Sequence, residues 1–204
     1  MKIPIKVPDG ISGTWKIESF EITEKNANFE NLKLAFSGNG ARYVIPGTYK
    51  RLIHDNEVIM SNTTAEISDH VMFIHEACYR GGHILINGLG LGVALSKILQ
   101  NSKKITQITI IEKSKDVITL VAPTYLKDPR IEIIHADALK WKPPLGVRYT
   151  TVWHDIWNNI CTDNIPQMNK LHRKYGRRCD WQGSWCKELC LYYRKKDKRN
   201  GYQI

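Results

Sequence analysis

Alternating apolar and polar positions dominate the first sixty residues of the chain. Residues 14–22 alternate in this way, as does the shorter run 32–36, and both patterns predict β-strands. The runs 48–53 and 57–61 flank a polar turn and predict a β-hairpin. We therefore expect a small β-rich region over residues 1–62.

Helical spacing replaces the alternation from Thr63 onward. Thr63 followed by Glu66 is typical of a helix start, because both side chains can satisfy free amides there. Apolar residues then recur on one helical face: Ile67, Val71, Ile74 and Cys78. The pattern predicts one helix that begins near Thr63 and ends before Gly81.

Short apolar runs alternate with helical patterns through the middle of the chain. Four buried strands are predicted, at residues 83–87, 105–111, 131–134 and 149–153. Helices are predicted at 93–100 and 115–125, and two more at about 164–175 and 181–194. Strands that alternate with helices indicate a parallel sheet with right-handed crossovers. We expect an α/β domain over residues 63–160 and a basic helical extension over 161–204.

Charge is distributed unevenly along the chain. It carries 30 Lys or Arg against 20 Asp or Glu, a formal net charge of +10, and from Lys170 onward eleven basic residues accompany three acidic ones. Such a bias attracts anions, so contact with nucleic acid through the basic C-terminal part is one expectation. A solvated basic tail without a partner is the alternative.

Cysteine usage and hydropathy bear on the compartment. Five cysteines are an odd number in a chain long enough to need no disulfides, which predicts reduced thiols. They form no Cys-x-x-Cys pair, which predicts no metal site. No apolar run approaches the roughly 20 residues that span a bilayer, and the first residues lack the apolar core of a signal peptide. We therefore expect a cytoplasmic protein without a membrane partner.

A glycine-rich turn follows the first buried strand. Gly88, Gly90 and Gly92 come directly after Asn87 with the spacing G-x-G-x-G, between a strand and a helix. Glycines at such a turn let the backbone approach a ligand closely. A purely structural turn would have the same pattern, so the turn alone decides nothing.

Carboxylates follow the next two strands. Glu112, with Lys113 after it, ends the second strand, and Asp137, with Ala138 after it, follows the third. The carboxyl ends of parallel strands meet at one edge of the sheet, where a carboxylate can accept ribose hydroxyls or an adenine amine. Each acid alone could cap a helix. Together with the glycine turn, they predict a nucleotide site.

Residues 48–157 resemble the class I S-adenosylmethionine-dependent methyltransferases, in particular their spermidine synthase-like branch. The resemblance lies in the hairpin, the glycine turn, residues 110–114 and, most specifically, residues 128–138. The chain is also similar to small methyltransferase-like proteins of bacteriophages, which would place it in the host cytoplasm. The resemblance implies a Rossmann-like sheet and S-adenosylmethionine as the cofactor. It implies these cofactor-binding residues: Asn87, Gly88, Gly90, Gly92, Glu112, Lys113, Asp137 and Ala138.

The sequence departs from the family pattern at three places. Spermidine synthases carry an aspartate where Gly90 stands, which favours intact adenosylmethionine over its decarboxylated form. Ile86 stands where many methyltransferases have an acidic residue. Only 49 residues follow Asp155, so we expect a class I methyltransferase sheet that is shortened at its C-terminal end.

Candidate catalytic residues follow the fourth strand. Asp155 can orient an amine and accept its proton, and His154 can titrate near neutral pH. By resemblance, Asp155 matches the aspartate that holds the attacking amine of a polyamine, and His70 matches a position that faces it. Trp153 and Trp157 could stack on an acceptor. The alternatives are a helix cap for Asp155, an exposed helix histidine for His70 and core packing for the tryptophans.

Three functions follow from these residues. The leading hypothesis is an adenosylmethionine-dependent methyltransferase that acts on a small-molecule or nucleic-acid acceptor. The second is aminopropyl transfer, as in spermidine synthases. The third is a non-catalytic protein that keeps the cofactor fold and binds nucleic acid or a host protein. The sequence leaves open whether the chain forms a homodimer.

Overall fold

The computed structural model describes residues 5–36 and 43–199, which contain two β-sheets and seven α-helices. The N-terminal sheet has four antiparallel strands in the order β1-β2-β3-β4. Its strands are β1 (Gly10–Ser12), β2 (Trp15–Ile22), β3 (Gly47–His54) and β4 (Glu57–Ser61). The hairpin and the long strand before it are therefore as predicted.

Helix α1 (Glu24–Phe36) includes residues 32–36, which the sequence predicted to form a β-strand. The prediction at residues 32–36 is wrong because alternation over five residues is too short to distinguish the two periods. Thr23 caps the start of the helix, because its Oγ1 accepts a hydrogen bond from the Asn26 amide at 3.3 Å.

The predicted helix after Thr63 consists of two helices, α2 (Thr64–Asp69) and α3 (Val71–Arg80), which meet at His70. The break shifts the apolar face, so Val71 is 51% exposed while Phe73 and Ala77 are buried. Placing Val71 on the buried face was therefore wrong.

The second sheet has five parallel strands in the order β7-β6-β5-β8-β9. The first four confirm the predicted strands: β5 (Gly82–Asn87), β6 (Ile105–Glu112), β7 (Ile131–His135) and β8 (Tyr149–His154). Alternate residues of β5 pack on opposite faces, with Ile84 and Ile86 in the core that includes α3 and α4, and Leu85 against α6. The connecting helices are α4 (Val93–Asn101), α5 (Lys115–Tyr125) and α6 (Ile165–Tyr175). The predicted α/β class is confirmed.

The C-terminal part adds the fifth strand, β9 (Cys179–Ser184), before helix α7 (Lys187–Arg199). The predicted helix over about 181–194 is therefore wrong in its first part and is present only from Lys187. Trp181 instead stacks on Trp153 of β8, with ring centroids 6.4 Å apart. The segment predicted as a helical extension therefore contributes an edge strand. Among the helices of the described residues, none has the length and apolar character needed to cross a membrane.

Candidate functional site

A cavity of about 260 Å³ opens at the carboxyl ends of the parallel strands, beside the N-terminal sheet. Strand β5 pairs with β6 on one edge and with β8 on the other, so the strand order reverses at β5. The cavity lies at this reversal, which is where ligands bind in such sheets. The structure brings seven predicted site residues together in its lining: Gly88, Gly90, Glu112, Lys113, Asp137, Ala138 and Asp155.

The glycine turn is packed closely against its surroundings. Gly88 has φ +99°, and a Cβ at this position would overlap the backbone oxygen of Asp155. A Cβ at Gly90 would overlap the Met60 sulfur, whose Sδ accepts a hydrogen bond from the Leu91 amide at 3.2 Å. Gly92 lies outside the main cavity and packs on the Tyr125 ring. The turn therefore joins the parallel sheet to the N-terminal sheet.

We expect Gly90→Ala to lower stability moderately. Its φ of +49° costs an alanine about 1–2 kcal/mol, and the flexible Met60 side chain must also move. At about 2–4 °C per kcal/mol, the melting temperature should fall by about 2–8 °C. Gly146→Ala is the matched control, because Gly146 has φ +77° and a Cβ there meets nothing within 4 Å among the described residues. An equal loss in both variants would contradict a role for the Met60 contact.

Glu112 is held in place by two backbone amides. Its Oε2 accepts a hydrogen bond from Leu89 at 2.8 Å, and its Oε1 accepts one from Ser114 at 2.7 Å. One carboxylate thus connects the glycine turn to the end of β6. Each carboxylate oxygen can accept a further hydrogen bond, so Glu112 remains able to bind hydroxyl groups in the cavity.

Asp137 and Ala138 form the third side of the cavity. Asp137 Oδ1 accepts a hydrogen bond from the Leu139 amide at 2.8 Å, which fixes the loop after β7. Lys174 of α6 donates to the backbone oxygen of Ala138 at 2.8 Å. The loop is thereby connected to α6 on the far side of the sheet.

Asp155 lies among other acids at the end of β8. Burial, followed by the charges of Glu66, Asp69 and Glu112, raises its pKa to about 8, although 23% of its side-chain surface stays accessible. Over residues 155–161 the chain is not helical, and the next helical residue is Thr162. A helix cap therefore does not explain Asp155.

His70 lies buried behind the glycine turn, where the two helices α2 and α3 meet. Only 2% of the residue is exposed, and burial lowers its pKa to about 4. Its Nε2 is 3.8 Å from Asp155 Oδ2, and its Nδ1 has no hydrogen-bond partner among the described residues. The alternative of an exposed helix histidine is therefore wrong.

His154 and Asn87 lie on the face of the sheet that packs against α6, and neither lines the cavity. Both are fully buried, and His154 Nδ1 is 2.8 Å from Asn87 Nδ2. Burial lowers the pKa of His154 to about 3, so the imidazole is neutral. The period-two alternation of a strand explains why His154 points away from the cavity. The predicted grouping of His154 and Asn87 with the cavity residues is not what the structure shows.

The aromatic residues divide between core and cavity. Trp153 stacks on Phe73 with ring centroids 5.1 Å apart and belongs to the core. Trp157 lines the cavity, and its Nε1 donates to Gln167 Oε1 at 3.0 Å. Trp153 therefore has the core-packing role, whereas Trp157 can contact a ligand in the cavity.

Sequence reasoning missed cavity residues that come from the N-terminal sheet and from α2, α6 and the chain after β9. They are Trp15, Leu52, Ile59, Met60, Glu66, Gln167 and Trp185. The spacing of Glu66 and Asp69, three residues apart before His70, was an available signal, since it places two acids on one helix face.

Comparisons with known proteins match the fold alone. No family model and no curated protein matches the sequence. Among solved structures, StiE O-MT matches 56% of this chain at 17% identity, with a TM-score of 0.45. The N-methyltransferase NodS from Bradyrhizobium japonicum WM9 matches 55% of this chain at 13% identity, with a TM-score of 0.43. The [4+2]-cyclase SpnF matches 46% of this chain at 18% identity, with a TM-score of 0.40. The matches span 40%, 61% and 35% of those three chains, less than two thirds of each.

Proposed function

We propose that the protein is an S-adenosylmethionine-dependent methyltransferase of the spermidine synthase-like branch. One observation carries the proposal. Three carboxylates from the ends of three parallel strands, Glu112, Asp137 and Asp155, line one cavity together with the glycine turn after a fourth. A cavity of about 260 Å³ is close to the lower end of the roughly 300–1,000 Å³ typical of small-molecule sites.

The residues present fit this cofactor. Glu112 can accept hydrogen bonds from ribose hydroxyls and Asp137 from the adenine amine, and the backbone of Gly88 and Gly90 lines the same cavity. The Leu91 amide donates to a thioether sulfur, a weak acceptor that a carboxylate can replace. When bound, adenosylmethionine supplies a methyl group on a positively charged sulfonium.

The charge of the cavity also supports a cationic ligand. Although the chain has a net charge of +10, the charges that act on Asp155 are those of Glu66, Asp69 and Glu112. Acids that lie together in a partly buried site stabilise a positive charge. With its pKa near 8, Asp155 gains and loses a proton in the neutral to mildly alkaline range, where its ionised form can accept a proton from an acceptor group.

Product analysis tests the proposal. The protein is incubated with methyl-labelled adenosylmethionine and with the small-molecule and nucleic-acid fractions of a cell extract, and products are identified by mass spectrometry. Label in a discrete product that is lost in Asp155→Asn supports methyl transfer. Cofactor binding without any labelled product would favour a non-catalytic protein that keeps the cofactor fold.

Aminopropyl transfer is a second candidate, because the acids around Asp155 also suit the decarboxylated cofactor, which lacks a negative charge. We expect intact adenosylmethionine to bind more tightly, because the Leu91 amide and the N-terminal end of α4 can hold its carboxylate. A competition titration between the two forms decides between the reactions. Tighter binding of the decarboxylated form would make aminopropyl transfer the leading candidate.

A further inference from the structure

The exposed face of α6 carries a row of basic side chains that starts at the cavity. Lys170, Arg173, Lys174 and Arg177 follow one another at positions i, i+3, i+4 and i+7, the spacing of a single helix face. Lys170, Arg173 and Arg177 are exposed, and Lys174 is half-buried. Gln167, three residues before Lys170 on the same face, lines the cavity. We call these four cations the α6 stripe.

The side chains of the α6 stripe form no ion pairs in the part of the chain that the structure describes. By contrast, Arg51, Arg80 and Arg130 elsewhere each form an ion pair with a carboxylate. The pKa of Lys174 is lowered by burial and then by Lys170, while Asp137 acts in the opposite direction. Two positive charges therefore lie close together at this end of the cavity, with one carboxylate near Lys174. Favourable interaction with the helix dipole accounts for Arg173 and Lys174 in the last turn. It does not account for Lys170 or for Arg177 beyond the end of the helix.

The cavity and the α6 stripe have opposite charge. A phosphate is disfavoured near Asp155, where Glu66 and Asp69 contribute negative charge, but it is favoured along the stripe. From Gln167 to Tyr175, its last residue, α6 rises about 12 Å at 1.5 Å per residue, and Arg177 follows in the next turn. This length is enough for a short run of backbone phosphates. Trp157, hydrogen-bonded to Gln167 at the cavity, offers a ring on which a base can stack.

We propose that the α6 stripe binds the backbone of a single-stranded nucleic acid and directs one of its bases into the cavity as the acceptor. A base inside a duplex cannot reach the end of β8 unless it is first extruded, which favours a single strand. The proposal rests on the proposed function, since it names the acceptor of that same site. The base enters the acidic cavity uncharged, and the phosphates remain outside on the cations.

Fluorescence anisotropy with dye-labelled strands tests this surface. The probes are single-stranded RNA and DNA of about 20 nucleotides and the corresponding duplex, titrated at several salt concentrations. We expect the double variant Lys170→Glu/Arg173→Glu to bind single strands at least about ten-fold more weakly than wild type. Its salt dependence should lose about 1.4 in slope, since each contact contributes about 0.7 for single strands.

The matched control is Lys25→Glu/Lys127→Glu, which makes the same change in net charge at exposed positions outside α6. Circular dichroism establishes that both variants are folded. Control binding within about two-fold of wild type supports the α6 stripe. Equal losses in both variants, no binding by wild type, or a preference for the duplex would overturn the inference.

A calorimetric titration with adenosylhomocysteine separates this inference from the proposed function. The stripe variant should bind adenosylhomocysteine as wild type does, because neither substituted residue lines the cavity. Cofactor binding by the wild type without nucleic-acid binding by the wild type would overturn the inference alone. Nucleic-acid binding without any cofactor binding would instead overturn the proposed function.

Discussion

Replacing Asp155 with asparagine should lower turnover by about 10²–10⁴-fold, the range expected for a general acid or base. The carboxylate lies at the end of β8 in the cavity lining, and its raised pKa of about 8 suits proton transfer near neutral pH. Affinity for adenosylhomocysteine should stay within a few-fold of wild type, because the proposed cofactor contacts come from other residues. Steady-state kinetics and calorimetry on the same preparation measure both quantities.

The same variant should be more stable than wild type at alkaline pH. The folded pKa of Asp155 is raised from 3.8 to about 8, so the folded state binds the proton more tightly than the unfolded state. The resulting stabilisation is fully present below about pH 4 and is lost as pH rises through 8. Above pH 8 the wild type must bury a charge that asparagine lacks. We expect Asp155→Asn to gain about 1–3 kcal/mol there, discounted for the partial exposure of the carboxylate.

Melting curves between pH 5 and pH 9 measure this difference, with Glu57→Gln as the control. Glu57 is an exposed acid of β4 outside the cavity, so its substitution should change neither turnover nor the pH profile. A destabilised Asp155→Asn protein with full turnover would show that Asp155 has only a structural role.

Replacing Glu112 with alanine should weaken cofactor binding by about 30- to 700-fold. Two hydroxyl hydrogen bonds to a charged acceptor contribute about 2–4 kcal/mol, which converts to that range at 1.4 kcal/mol per factor of ten. Stability should fall as well, because the amides of Leu89 and Ser114 lose their acceptor. Glu112→Gln keeps one carbonyl oxygen and should lose less stability than alanine.

Glu132→Ala is the matched control for Glu112, since it removes an exposed glutamate from the neighbouring strand β7, outside the cavity. It should leave the affinity for adenosylhomocysteine unchanged. Equal affinity in the Glu112 and Glu132 variants would contradict the assignment of Glu112 to the cofactor.

The sequence predicted the strand ends of the cavity well because buried parallel strands are rich in β-branched and aromatic residues. Residues 105–111 and 149–153 are of this kind, and the glycine turn and the acids Glu112 and Asp155 come directly after strands. Strand β9 was not predicted, because an edge strand is not apolar throughout. In addition, Trp181 and Trp185 are four residues apart, which is also the spacing of one helix face.

Side-chain direction was harder to predict than strand position. His154 and Asp155 are adjacent in sequence, yet one lies beneath α6 and the other in the cavity, because the strand ends between them. Met60 reaches the glycine turn from a separate sheet. Such contacts depend on how two sheets pack, and a pattern along one chain does not contain that information.

Calorimetric titration with adenosylhomocysteine is the decisive test of the cofactor site, because it measures binding without requiring an acceptor. We expect binding at one site per chain, competition by adenosylmethionine, and loss of affinity in Asp137→Ala, whose carboxylate lines the cavity. Absence of binding to the folded wild type, or equal affinity in wild type and Asp137→Ala, would contradict the proposed cofactor site.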